Sequence, residues 1–126
     1  MTQEDKQLLL KDLCARLPYG VKINIRNDYT LSMEDMELNP YLLTTASYDV
    51  EYRGLRPYLR PMSSMTEEEY KEYSKLWDLQ DEFPTDADIR FKIDVFDWLN
   101  AHHFDYRGLI EKGLALEAKE GMYKTE

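Results

Sequence analysis

Between Leu9 and Arg26 the apolar pattern changes its period, and this change restricts the fold more than any other stretch of the chain. Leu9, Leu13, Arg16 and Leu17 follow the 3.6-residue repeat, with Leu10 and Cys14 adjoining them, so a helix is expected over residues 3–16. Thr2-Gln3-Glu4-Asp5 resembles a capping box with Asp in place of Glu, and Pro18 and Gly20 end the helix. From Val21 the period falls to two. Val21, Ile23 and Ile25 face one way, and Lys22, Asn24 and Arg26 the other, which is the pattern of a half-buried strand. A helix stripe followed by a one-sided strand points to an α+β class.

Asn27-Asp28 is a turn signal, and Tyr29, Leu31 and Met33 alternate again, so a hairpin is expected there. Asn39-Pro40 punctuates, and a second strand pair is expected at 41–45 and 47–52. Pro57 and Pro61 exclude a helix interior and a central strand, leaving a short edge strand or a 3₁₀ turn. Residues 20–62 therefore read as a small antiparallel sheet or an SH3-like barrel. Thr66-Glu67-Glu68-Glu69 is a capping box that starts a helix running to about Leu79, with Tyr70, Tyr73, Leu76 and Trp77 on its apolar side. Pro84 ends the connection that follows. Ile89, Phe91 and Ile93 fit either period; we expect a strand at 88–92 and a helix at 93–101. Asp105 is placed to cap a final helix over 106–116, with Leu109, Ile110, Leu114 and Leu116 inward, before a fraying tail from Gly121 and Tyr123 onward. The whole reads as a single domain, 1–126, with an N-terminal helix and two to three C-terminal helices.

The candidate chemistry is thin. His102 and His103 are adjacent and point apart, and with Asp105 they fall short of the three or four ligands a zinc site needs. The bland alternative is that one packs beneath Trp98 and the other sits over a helix C-terminus. Cys14 reads as a small buried hydrophobe. Ser63-Ser64 lacks a nucleophile-elbow context. Asp94 and Asp97, three apart, read as solvated surface, and Gly108 and Gly113 read as sites of close helix packing. No catalytic residue, metal site or cofactor is expected. The one candidate contact surface is Tyr52, Arg53, Arg56, Tyr58 and Arg60, because Arg and Tyr anchor protein interfaces. The alternative is that these arginines pair with the acidic helix after Thr66.

Charge narrows the partners. Of a net −9, residues 63–101 hold −7, with eleven acids against four bases. No Lys/Arg cluster exists to track phosphates, so direct nucleic-acid binding is not expected. No run approaches the ~18 apolar residues of a membrane span. One cysteine and an acid-bearing N-terminus without an apolar core point to the cytoplasm.

The strings L-L-K-D-L-C-A-R-L-P-Y-G-V-K (9–22), R-P-Y-L-R-P-M-S-S-M-T-E-E-E (56–69) and D-W-L-N-A-H-H-F-D-Y-R-G-L-I-E-K-G-L-A-L-E-A (97–118) resemble a group of small uncharacterised proteins of gut Bacteroides-type bacteria and their phages. The resemblance implies a bacterial cytoplasm and a phage or mobile-element context; it implies no activity and transfers no functional residue. The functional expectation is a small non-enzymatic module that binds a protein partner, favoured by ten tyrosines and the missing catalytic constellation. The rivals are an acidic mimic of nucleic acid, which the −7 segment would supply, and an enzyme with a dispersed site.

Overall fold

The computed structural model describes residues 1–78 and 86–123, with side chains given for all of these except 78 and 86–93. Thr2 accepts the backbone N–H of Asp5 at 3.0 Å and opens helix α1 (Gln3–Arg16). A 3₁₀ turn over Leu17–Tyr19 and a left-handed Gly20 stop it. The buried stripe runs through Leu9, Asp12, Leu13 and Arg16. Cys14 lies across the helix from that stripe and is exposed, which corrects its reading as a buried residue.

β1 (Lys22–Arg26) pairs antiparallel with β2 (Met33–Glu37) over five consecutive residues, from Lys22 opposite Glu37 to Arg26 opposite Met33. The expected hairpin is there, with its second strand later than the alternation from Tyr29 suggested. The expected strand pair at 41–45 and 47–52 is instead two helices, α2 (Pro40–Thr44) and α3 (Ala46–Tyr52). Asn39 explains the difference: its side chain accepts the N–H of Leu42 at 2.8 Å, with Pro40 in the first turn, so a punctuation signal is a helix start.

β3 (Arg56–Leu59) lies inside the sheet, whose order is β2-β1-β3-β4, so the edge assignment for this segment is overturned. It pairs antiparallel with β1 at Asn24–Arg56 and Ile23–Pro57. It then turns to β4 (Leu116–Glu117), in parallel, at Tyr58 and Leu59. Pro57 is tolerated because of phase. Leu38 N–H donates to Val21 O and Asn27 N–H to Ser32 O. Alternation then points the N–H of Ile23 at β2, which makes Ile23–Pro57 a pair that exchanges no bond. Among the described residues the sheet stays open and no barrel closes.

β4 and its approach replace the expected helix over 106–116. Gly108 and Gly113 both have positive φ, +73° and +74°, with open space around them, so they are turn residues and pack nothing closely. Asp105 does cap, accepting Leu109 N–H at 2.9 Å and Ile110 N–H at 3.0 Å, but what it caps is a turn. Leu109 and Leu114 are buried all the same.

The Thr66 box forms as expected. Glu69 N–H donates to Thr66 Oγ1 and Thr66 N–H to Glu69 Oε1, opening α4 (Glu67–Asp78). Tyr70, expected inward, is exposed. α5 (Asp86–Ala101) is one helix, so the strand at 88–92 is a correction. The expectations at Leu79 and Pro84 lie outside the described residues.

The main core joins α1, β1, α2, α3, β3 and the 109–115 turns through Leu9, Leu13, Ile23, Val50, Leu59 and Leu109. A second cluster under α4 and α5 centres on Val95, Leu99 and Phe104. Arg16 and Asp12, both fully buried, pair at 2.8 Å; Arg107 reaches the other Asp12 oxygen at 3.1 Å, and Arg16 Nη2 donates to Phe104 O at 2.6 Å. This network ties the first helix to the turns after α5. No helix among the described residues is long and apolar enough to cross a membrane.

Candidate functional site

The β1–β2 connection is an ordered loop. Asn27 Oδ1 accepts the N–H of Tyr29 at 2.8 Å and of Thr30 at 3.2 Å. Leu31 N–H donates to Asn27 O at 2.7 Å, and the Thr30 and Ser32 hydroxyls lie 2.7 Å apart. This frame holds Tyr29 at 99% exposure and Leu31 at 72%. Leu31 sits at φ 62°, a left-handed conformation that a branched side chain adopts only at a cost of roughly 1 kcal/mol or more.

The end of α3 is fastened to the base of this hairpin. Arg53 Nε and Nη2 donate to Arg26 O at 3.0 and 2.7 Å, and Arg26 N–H donates to Arg53 O. Arg53 also pairs with Asp28 at 3.4 Å and with Asp49 at 3.3 Å. Met33, half-exposed, lies against Gly54. Tyr48 and Tyr52 stand one turn apart on α3 with ring centroids 4.9 Å apart, both exposed. The hairpin tip and α3 thus present Tyr29, Leu31, Met33 and Tyr52 on parts of the chain that are fixed to each other.

The expected Arg/Tyr surface divides. Tyr52 and Arg56 are exposed, and Arg53 is the clamp just described. Tyr58 is buried, its hydroxyl donating to Asp35 at 2.6 Å. Arg60 binds both Glu69 oxygens at 2.7 and 2.8 Å and lies 4.2 Å over the Phe104 ring, so it follows the alternative of pairing with the acidic helix. Tyr29, Leu31 and Met33 were missed as surface because their alternation reads as a strand. Asn27 followed by small polar residues was the available signal.

The cluster at Asp35 and Tyr58 is fixed in one ionisation state, carboxylate beside neutral phenol. Asp35 accepts from Lys119 at 2.7 Å, from Tyr58 and from Asn24, which holds its carboxyl down at about 2. Burial and the same carboxylate push the Tyr58 phenol up. A carboxylate so well satisfied beside a phenol so reluctant to ionise makes neither a base nor a nucleophile near neutrality.

The histidines behave differently from one another. His102 stacks on Trp98 at 4.1 Å, and its Nδ1 meets Trp98 O at 2.9 Å, so it combines both expected roles. His103 is buried at φ 64° and stacked 3.7 Å from Tyr123, with its Nδ1 unpartnered among the described residues. Burial, then the charge of Arg16, lowers it to about 4, so it is neutral near pH 7. Tyr123, expected to fray, is held: its hydroxyl accepts Lys22 N–H at 2.8 Å and donates to Tyr58 O at 2.7 Å, and burial raises it to about 12.

A cleft of about 650 Å³ between α4 and α5 is lined by Met62, Tyr73, Phe96, Leu99 and Tyr106 among others. Its one carboxylate among the described residues is Asp105, whose two oxygens are both taken by backbone N–H groups. No group of three or more His, Cys, Asp or Glu placed to hold a metal ion occurs among the described residues. In the acidic segment, Glu69 is bound by Arg60 and Glu72 accepts Trp98 Nε1–H at 3.2 Å. The chain matches no protein family, and no curated protein or solved structure is significantly similar to it.

Proposed function

We propose that this protein is a non-catalytic, cytoplasmic protein-binding module whose contact surface is the 27–32 loop and the adjoining end of α3. The observation that carries this reading is Tyr29, almost fully solvated on a loop whose backbone is tied by its own hydrogen bonds. Tyr29 and Leu31 do nothing for the core. Covering both in a partner is worth about 3–6 kcal/mol, and a fixed loop loses little entropy on binding. Arg56 and Tyr52 add the residue types that anchor interfaces. The exposed thiol of Cys14 suits a reducing compartment.

The test is a double variant, Tyr29→Ser with Leu31→Asn. It should keep the circular dichroism spectrum and melt no lower than the unaltered protein, while losing the partner that the unaltered protein captures from its native lysate. A photo-crosslinking residue at position 29 should label that same partner. Equal capture by both proteins would refute the surface.

A further inference from the structure

We infer that the partner joins as an added strand on the open edge of β2, through an extended segment in which lysine or arginine alternates with apolar residues. This rests on the binding reading above and names the partner's chemistry. β2 is the outermost strand of the order β2-β1-β3-β4. The phase set by Leu38 and Asn27 directs the backbone groups of Glu34 and Met36 at β1, which leaves N–H and C=O of Met33, Asp35 and Glu37 pointing outward. Edges that must stay unpaired are blunted with Pro, a bulge or charged side chains. This one has no Pro and no bulge, and its only charges are acids, which turn away acidic strands and leave a basic one free to pair.

The side chains specify what fits. Glu34, Asp35 and Glu37 make three acids in five residues with no base. A second copy of this strand would lay acids against acids, and like charges across a ladder repel. Asp35 and Glu37 share one face with Asn24 and Lys22; Met36 and Glu34 lie on the other, opposite buried Ile23 and Ile25, and Glu34 is taken there by the Asn27 amide at 3.1 Å. Asp35 is already held by Lys119, whereas Glu37, opposite Lys22 in the ladder, is exposed and forms no ion pair among the described residues. The complement is a strand with cations on the Glu37 face and apolar side chains that cover Met36. Such a strand also runs past Met33 towards the Tyr29 loop. Strand addition of this kind takes affinity from the main chain and specificity from alternate side chains.

The probe is an octapeptide of alternating lysine and valine, titrated into the isotope-labelled full chain. The expected result is chemical-shift change and slowed exchange at the Met33, Asp35 and Glu37 amides. Replacing lysine by glutamate in the peptide should abolish it. Glu37→Gln should weaken binding about threefold, and Glu37→Pro, which deletes one outward donor and spares the β1 ladder, about fivefold. Unchanged protection of the Glu34 and Met36 amides certifies that the proline variant keeps its hairpin, and the glutamine variant and the peptide series test the idea independently of it. Equal binding of the acidic peptide, no binding at millimolar concentration, or concentration-dependent pairing of β2 with a second copy would each overturn the inference. If the lysate partner is lost by the Tyr29/Leu31 variant and kept by Glu37→Pro, strand addition fails and the loop surface stands.

Discussion

Glu69 is the residue whose loss should be felt most sharply as a function of pH. It is 6% exposed, binds Arg60 through both oxygens and closes the Thr66 capping box. The Arg60 guanidinium, opposed in part by burial, holds its carboxyl at about 2 against an ordinary 4.5. A carboxyl depressed on folding contributes stability above its unfolded value, and that contribution is lost as pH falls through the folded value. The difference is worth roughly 3 kcal/mol at pH 7 and about half of that at pH 3. Glu69→Gln keeps the shape and removes the charge, leaving Arg60 over Phe104 with a weaker partner. Urea denaturation of both proteins between about pH 7 and pH 3 reads the result. The gap between them should be near 3 kcal/mol at neutrality and narrow steadily with acid. Asp35 also titrates low, but it is present in both proteins and cancels in the difference. A gap under ~0.5 kcal/mol at neutrality, or one that ignores pH, would refute this account.

Two further outcomes follow from the geometry. Leu31→Asn suits the left-handed backbone and should raise stability by about 0.5–1 kcal/mol in thermal unfolding while weakening partner binding, a trade expected where strain serves function; lower stability would deny the strain. Tyr123→Phe strips a partner from both Lys22 N–H and Tyr58 O and should cost about 1–3 kcal/mol, with faster amide exchange at Lys22; unchanged exchange there would argue against the contact.

Local rules were enough wherever one face of one element carried the information. Thr2 and Thr66 start the helices their side chains cap, and Ile23 and Ile25 go inward as their alternation demands. Reading failed where a local signal carries two meanings or where long-range contacts decide. Tyr41 to Tyr52 alternates well enough for strands, yet Asn39 and Pro40 commit it to helix. Leu109 and Leu114 are inward as a helix would place them, but turns with two left-handed glycines bring them there. Pro57 is allowed inside the sheet only because of the phase of β1, which no single strand reveals. The site was half legible. Tyr52 and Arg56 are on the surface; Arg60 follows the legible alternative and pairs with Glu69 of the acidic helix, whereas Tyr58 is claimed by Asp35, which no local pattern links to it.

The late pairing of β3 with β4 has a consequence for how the chain is made. Tyr58 meets Leu116 only after α4 and α5 have been synthesised. At ribosomal rates of about 5–20 residues per second, β3 waits some 3–12 s with one flank uncovered. During that interval Tyr58 and Leu59, both buried in the finished protein, face solvent and any chaperone that meets the nascent chain. Pro57 stands on the waiting flank without an N–H to offer. A residue that costs the mature sheet nothing thereby makes the nascent chain a poorer template for a stray strand.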